Sequence, residues 1–245
     1  MIQHKAKAWL MEFHEKTLTQ AKNEVTKDWL AEFPSLKKES PMHLLRRVGP
    51  LLVGVILERI GLDSYIPCFH VHFLGNSEPS LILTMKTKFT PTPEIGKTRI
   101  EVSDHKRTYK EAARLLREQA PLSIEGPLTV KEVLEAYRKF STTPVGGSQL
   151  ANLYQDAIKL ATFFGFTEQA KGLLQEILEC TEGDGVFKFF NGREAYIERM
   201  RDAIAHPETI RETIEQQIVQ HKVGRLPFSE FADAVPVTAL NEPKA

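Results

Sequence analysis

The sequence lacks most of the features that identify a secreted protein, a membrane protein or a metalloprotein. Its 245 residues include only two cysteines, Cys68 and Cys180, which is too few for a disulfide framework and lacks the spacing of a zinc site. The longest apolar run, Leu51 to Leu57, has seven residues, far fewer than the roughly 20 needed to span a bilayer. The N-terminus mixes apolar and charged residues and has no signal-peptide pattern. We therefore expect a cytoplasmic protein that does not contact a membrane.

Net charge and catalytic motifs are also absent. Basic and acidic residues number 32 each, so no overall field attracts the chain to nucleic acid or to an anionic membrane. The nucleophile motif G-x-S-x-G, the phosphate-binding loop G-x-x-x-x-G-K and the dinucleotide fingerprint do not occur. We accordingly assign no catalytic residue, no metal ligand and no cofactor, and the sequence favours a protein that is not an enzyme.

The N-terminal third predicts two helices. Apolar residues recur at near-helical spacing through residues 2–33, and Pro34 ends the run. A second helix is predicted from Ser40, as N-cap, to Ile60, with a bend or break at Pro50. Because the run "LLVGVIL" inside it is apolar on all sides, we expect this segment to be the buried centre of the N-terminal part.

A change of periodicity then predicts a small sheet. The stretches "CFHVHFL" and "SLILTMKTKF" alternate apolar and polar residues, and "GNSEP" between them is a turn signal, so residues 66–88 predict a β-hairpin. Thr98–Val102 predicts a third strand. The expected fold class is α+β and predominantly α-helical, with this antiparallel sheet packed on the N-terminal helices and followed by a C-terminal helical bundle.

Helices are predicted for most of the remaining chain. Two of them carry capping boxes, Thr108 with Glu111 and Thr129 with Glu132. The loop "TTPVGGS" is the best candidate boundary, which divides the chain into an α+β part (1–145), a helical part (146–231) and a flexible tail (232–245). Helices in the second part are predicted near 148–163, 167–181, 192–205 and 207–223.

One stretch of this helical part resembles a known repeat. The segment "LYQDAIKLATFFGFTEQAKGLLQEIL" places Tyr154 on a first helix, Gly165 at its end and Ala170 on a second helix. This pattern resembles the helix-turn-helix unit of a tetratricopeptide repeat. No second unit follows at the repeat spacing, and an array needs about three. The resemblance therefore implies one antiparallel helical hairpin.

The predicted hairpin carries the first candidate site. Alternation places His70 and His72 on one strand face, together with Lys86 and Lys88 of the partner strand. Two imidazoles and two ammonium groups suit a phosphate or a carboxylate better than a metal ion, because the lysines repel a cation. The alternative is that this face is only the solvated side of an amphipathic hairpin, and we expect that outcome.

The turn "SDHKRTYK" supplies the second candidate site. His105, Lys106 and Arg107 stand where a helix begins, and a helix N-terminus beside cations can hold a phosphate. The alternative is an ordinary charged turn. With the lysines of the hairpin, this turn makes residues 86–110 the most basic neighbourhood of the chain and the best indication of nucleic-acid binding.

The stretch "GDGVFKFF" is the third notable feature. Its turn followed by Phe187, Phe189 and Phe190 predicts an apolar loop or a short strand. These aromatic side chains belong either to the core or to a patch that binds a partner.

Two functions remain open on the sequence alone. The first is a non-enzymatic cytosolic module that binds another protein, such as an accessory or immunity-type component of a bacterial system. The second is a nucleic-acid- or phosphate-binding protein, conceivably a metal-independent nuclease with histidines as acid and base. The position of the basic groups separates the two, because one concave basic patch favours the second function and dispersed basic groups favour the first.

Overall fold

The computed structural model describes residues 19–61, 63–77, 79–81, 83–93, 95–142, 147–181 and 184–233. Helix α1 covers residues 19–32 and ends before Pro34, as the sequence predicts. Its inner face carries Val25 and Trp29, which are both buried. The predicted beginning of this helix at residue 2 and nearly all of the predicted flexible tail, residues 234–245, lie outside the described residues.

The sheet is much larger than the sequence predicts. Strands β1 to β5 are neighbours in chain order and pair antiparallel, β6 pairs with β4, and β7 pairs parallel with β2. The predicted fold, with a small sheet of a hairpin and a third strand, is therefore wrong, since the described residues alone form a sheet of seven strands. The strands are β1 (Lys37–Ser40), β2 (His43–Val48), β3 (Leu51–Ile60), β4 (Ser64–Phe73), β5 (Met85–Lys88), β6 (Ile100–Glu101) and β7 (Phe228–Ser229).

The error lies in the segment from Ser40 to Ile60, which is not a helix. Ser40 ends β1, and β2 and β3 form a hairpin whose turn is Gly49–Pro50, with Gly49 at φ 51°. A run that is apolar on all sides describes a central strand covered on both faces as well as it describes a buried helix. Valine and isoleucine predominate in the second half of the run and favour the strand, and Pro50 occupies a turn where it needs no N–H.

The predicted hairpin of residues 66–88 does pair as expected. Strand β4 lies antiparallel to β5, with His70 opposite Lys86 and Cys68 opposite Lys88. The second strand is only four residues long, shorter than the alternating stretch predicts. Strand β6 forms the middle of the predicted third strand and pairs with the beginning of β4.

The helices after the sheet agree with the sequence, apart from one cap. The capping box of Thr129 and Glu132 is present at the start of α3. The box predicted at Thr108 is wrong, because α2 begins three residues earlier and the Thr108 hydroxyl donates to the carbonyl of Asp104. The helices are α2 (His105–Gln119), α3 (Val130–Ser141), α4 (Gly147–Phe163), α5 (Thr167–Cys180), α6 (Arg193–Ala205) and α7 (Pro207–Gln220).

Helices cover the sheet and its connections. Helices α1 and α2 contact β4 through the side chains of Trp29, Tyr65 and His105. The connection from β4 to β5 is bound to α4, where Lys159 Nζ donates to the Gly75 carbonyl (3.1 Å) and to Asn76 Oδ1 (2.9 Å). Helices α4 and α5 pack on each other as the resemblance to a helical hairpin implies. Within the described ranges, none of the helices has the length and apolar character needed to cross a bilayer.

Candidate functional site

The structure pairs the two strands of the first candidate site but buries its histidines. His70 and Lys86 share a face, as predicted, because they are directly opposite each other in the β4–β5 pairing. His70 is 0% exposed and His72 is 2% exposed, so the prediction that both lie on a solvated face is wrong. Alternation shows which side chains share a face, but it does not show whether that face is exposed. Strand β4 is an interior strand of the sheet, and the ring of His221, just after α7, stands 6.4 Å from that of His72.

His70 belongs to a hydrogen-bonded chain that the sequence did not indicate. Its Nε2 lies 2.7 Å from Nε2 of His43, the first residue of β2, and His43 Nδ1 lies 3.1 Å from Glu39 Oε2. The carboxylate can only accept, so His43 donates through Nδ1–H and its Nε2 is an acceptor in the neutral ring. His70 must then donate through Nε2–H. Its own Nδ1 is buried and has no hydrogen-bond partner in the part of the chain that the structure describes.

Burial lowers the pKa of both rings in this chain. The pKa of His70 lies well below its usual value because the ring is buried, and because Lys86, and His43 and His72 when protonated, oppose a positive charge there. The pKa of His43 is also lowered by burial, although Glu39 opposes the shift. The two rings are therefore neutral at physiological pH. Neutral, buried imidazoles cannot attract a phosphate as the first candidate site requires.

The lysines of the hairpin are not a concentrated cationic site either. Lys86 Nζ lies 3.0 Å from Glu58 Oε1 on β3, so a carboxylate already neutralises it. Lys88 is exposed at the end of β5. Of the four residues predicted at this site, one exposed lysine thus remains for an anion.

The second candidate site is also reorganised. His105 is 3% exposed and points inward, where its Nδ1 is 2.6 Å from the Tyr65 hydroxyl and its Nε2 is 2.8 Å from Asp28 Oδ2. Trp29 Nε1–H donates to the same hydroxyl at 3.2 Å. Because indole N–H is only a donor, Tyr65 accepts from it and donates to His105, whose Nε2–H then donates to Asp28. Every proton in this chain has one consistent position.

The order carboxylate, imidazole and hydroxyl is that of a catalytic triad, but burial prevents that use. Tyr65 is 0% exposed, and desolvation raises the pKa of its hydroxyl. Burial likewise lowers the pKa of His105, although Asp28 opposes it. A nucleophile needs a substrate within reach of its oxygen. We therefore assign this hydrogen-bonded network a structural role, in which it fastens α1 and α2 to β4.

The two exposed cations of this turn are paired with carboxylates. Lys106 Nζ lies 2.7 Å from Asp28 Oδ2 and 3.0 Å from Glu24 Oε1, and these contacts raise the pKa of Lys106 to about 12. Arg107 Nη2 lies 3.4 Å from Asp104 Oδ1. The positive charge that the sequence pattern suggests is thus largely balanced locally.

The two predicted basic clusters lie on opposite faces of the sheet. Strand side chains alternate, so Tyr65 on β4 points to one face and His70 points to the other. His105 bonds to Tyr65, whereas Lys86 is opposite His70. One ligand cannot contact both clusters at once. The dispersed arrangement disfavours a single nucleic-acid-binding patch.

A third polar centre was missed by the sequence reasoning. Asp156 on α4 is 0% exposed, its Oδ1 accepts from Asn76 Nδ2 (2.6 Å), and its Oδ2 accepts from the Tyr137 hydroxyl (3.3 Å). Burial raises the pKa of Asp156 to about 6, against the opposing effects of these hydrogen bonds and of Lys159. The signal for it was a carboxylate on the apolar stripe of α4, three residues after Leu153. The network joins the β4–β5 connection to α3 and α4.

Metal binding finds no support in these clusters. Across the described ranges, no group of three or more histidine, cysteine, aspartate or glutamate side chains is arranged to hold a metal ion. The separation of 2.7 Å between the two Nε2 atoms of His43 and His70 is a hydrogen-bond distance. Two ligands bound to zinc at about 2.0 Å in a tetrahedron would stand roughly 3.3 Å apart.

An exposed aromatic side chain is the clearest surface feature. The segment Asp184–Phe190 forms a 3-10 helix, and not the loop or strand that was predicted. Phe187 and Phe190 are buried, with ring centroids 5.0 Å and 4.9 Å from that of Tyr196 on α6. Phe189 is 69% exposed, and Lys188 Nζ stands 4.8 Å from its ring centroid. The core alternative is therefore correct for Phe187 and Phe190, whereas Phe189 lies on the surface.

Comparison with known proteins adds no assignment to this geometry. No protein-family model, no curated protein and no solved structure gives a significant match to the chain.

Proposed function

We propose that the chain is a non-enzymatic, cytosolic module that binds another protein, a role that an accessory or immunity-type component of a bacterial system would have. The observation that carries the proposal is the presentation of Phe189. A phenylalanine ring that is 69% exposed supplies the kind of aromatic anchor that protein interfaces bury near their centre.

The surroundings of Phe189 support this role. Its neighbours Phe187 and Phe190 are anchored against Tyr196, and Arg193 Cζ and Arg199 Cζ lie 5.6 Å and 5.5 Å from those two rings. A side chain held out from a fixed backbone loses little conformational entropy when a partner covers it. Arginine and aromatic side chains are also the types enriched at binding hot spots.

The electrostatic arrangement supports a protein partner over nucleic acid. Nucleic-acid affinity comes chiefly from cations that contact successive phosphates. Here the candidate cations Lys86, Lys106 and Arg107 each stand within 4.0 Å of a carboxylate, and the candidate histidines are buried. A phosphate that binds at these three cations would first have to break their pairs with the carboxylates.

The test compares two phenylalanine variants. Tagged wild-type protein, Phe189→Ser and Phe166→Ser are purified from the native host, and the retained proteins are identified by mass spectrometry. Phe166 is the matched control, because it is 43% exposed at the turn before α5 and belongs to a different surface feature. We expect one partner to bind wild type and Phe166→Ser and to be lost with Phe189→Ser. That partner is then produced separately, and its affinity is measured by calorimetry.

Equal retention by all three proteins would refute the role of Phe189. The rival function is tested by fluorescence anisotropy with labelled single-stranded RNA and DNA at two salt concentrations. We expect weak binding of both. Tight binding that falls steeply with salt, and that is lost when Lys88 and Lys106 are both replaced by glutamine, would overturn the proposal in favour of nucleic-acid binding.

A further inference from the structure

The pair of His43 and His70 joins the edge of the sheet to its centre. His43 is the first residue of β2, whereas His70 lies on β4, and β3 separates these two strands. On β3, Gly54 is directly opposite His70 and Ile56 is directly opposite His43. The two imidazoles meet across β3 with 2.7 Å between their Nε2 atoms.

This contact requires that one of the two facing nitrogens stays unprotonated. In the neutral pair a single proton lies between them, donated by His70 to His43. A second proton cannot enter that space, since two N–H groups would then point at each other. If the added proton goes instead to Nδ1 of His70, it forms a buried N–H for which the described residues offer no acceptor.

The charges around the pair oppose protonation of the inner ring. Glu39 on β1 faces the outer ring, His43, and favours a positive charge there. Lys86 on β5 and His72 on β4 face the inner ring, His70, and both oppose a positive charge. Lys86 is itself held by Glu58 of β3, and His221 adds a further imidazole beside His72. Acid thus adds positive charge to the pair, and only the ring of His43 has a carboxylate, Glu39, beside it to balance that charge.

We propose that the His43–His70 pair is an acid-sensitive latch that holds β1 and the start of β2 against the rest of the sheet. Strand β1 is an edge strand whose pairing with β2 is irregular between Lys38 and Ser40. The turn that follows contains Met42 at φ 70°. Protonation at mildly acidic pH separates the two rings and releases this corner, while β3 and β4 remain paired over ten residues each.

The expected size of the effect follows from proton linkage. An unfolded histidine titrates near pH 6.5, whereas a histidine in the closed latch stays neutral to lower pH. The open state therefore binds more protons below pH 6.5, and its population rises as pH falls. For each proton that the closed latch excludes completely, the ratio of open to closed forms increases about 30-fold between pH 8 and pH 5.

Amide hydrogen exchange tests this proposal. Exchange is measured on the full-length protein between pH 8 and pH 5, and each rate is divided by its intrinsic rate at that pH to give a protection factor. We expect the protection factors of β1 and of residues 43–45 to fall by at least 10-fold between pH 8 and pH 5. The protection factors of β3 and β4 should change by less than about 3-fold. A parallel loss in all four strands, or no loss in any, would refute the latch.

Two variants separate the latch from general acid effects. His43→Gln keeps a polar side chain that does not titrate, and we expect the protection of β1 in this variant to be nearly independent of pH. His206→Gln is the control, because His206 is exposed at the start of α7. It should keep the wild-type dependence. An acid-dependent loss in His43→Gln equal to that of wild type would overturn the proposal, and if His43→Gln does not fold, the wild-type exchange pattern alone decides.

Discussion

The Tyr65 hydroxyl joins three elements of the fold, and its removal is the sharpest test of that connection. The oxygen accepts from Trp29 Nε1–H of α1 at 3.2 Å and contacts His105 Nδ1 of α2 at 2.6 Å, while its own backbone belongs to β4. The variant Tyr65→Phe deletes this oxygen and keeps the ring. We expect a large loss of stability from this change of one atom.

The magnitude follows from what the substitution leaves behind. Trp29 is 0% exposed and His105 is 3% exposed, so water does not replace the missing oxygen. Leaving a buried polar group without its partner costs about 1–3 kcal/mol. Two groups are affected, so we expect the free energy of unfolding to fall by about 2–6 kcal/mol, a large fraction of the roughly 5–15 kcal/mol of a typical domain.

Urea unfolding followed by circular dichroism at pH 7.5 measures this loss, with the dependence on urea compared between variants to check that unfolding stays two-state. Tyr154→Phe is the control. Its hydroxyl donates to Glu176 Oε1 at 2.8 Å, but the carboxylate is 39% exposed and water can replace the bond, so we expect a loss below about 1 kcal/mol. If Tyr65→Phe loses no more stability than Tyr154→Phe, the hydrogen bonds that connect Asp28, His105, Tyr65 and Trp29 do not fasten the helices to β4.

Four further substitutions test other parts of the fold. Gly54→Ala should destabilise by several kcal/mol in urea unfolding, because its Cβ would collide with the Leu44 carbonyl, whereas Gly172→Ala, where nothing lies within 4 Å, should stabilise α5 by about 0.5–1 kcal/mol. The reverse order would show that β2 and β3 are not this close. Leu51→Asp should abolish the thermal transition seen by circular dichroism, since it buries an unpaired charge at a position that is 0% exposed; an unchanged melt would place Leu51 outside the core. For Asp156, a pKa raised from 3.8 to about 6 means that the folded state keeps a proton that the unfolded state releases, so its contribution to stability falls by about 2.4 kcal/mol as pH rises from 4 to 7. Urea unfolding of wild type and Asp156→Asn at both pH values should show this fall only in wild type. If the free energy of unfolding changes equally with pH in the two proteins, the titrating group is not Asp156.

Local patterns were sufficient to predict the helices of the second half. Their apolar spacing and signals such as the box at Thr129 and Glu132 act within one or two turns, and tertiary contacts did not override them. The segment 40–60 failed for the opposite reason. Its continuous apolar run has no period, and only the neighbouring strands on both sides, which the run itself does not encode, distinguish a central strand from a buried helix.

The candidate sites were less predictable than the fold. Alternation correctly placed His70 beside Lys86, but the partners that change their chemistry come from distant positions, such as His43 for His70 and Asp28 for His105. The alternating sequence pattern does not distinguish a histidine that is exposed to water from one that is buried against another imidazole. Burial decides its protonation, and burial is a property of the whole fold.

Strand β7 also has a consequence for the order of folding. It covers the outer edge of β2 through hydrogen bonds from Arg47 N to the Pro227 carbonyl (2.8 Å) and from Gly49 N to the Ser229 carbonyl (2.9 Å). These partners are separated by most of the chain, so this contact closes a very long loop and carries the entropic cost of doing so. During synthesis the end of β2 at Arg47 and Val48, which β1 does not cover, stays unpaired on this side until residues 227–229 emerge from the ribosome. In that interval it is a template for strands of other chains, and crowded expression should favour aggregation through this edge.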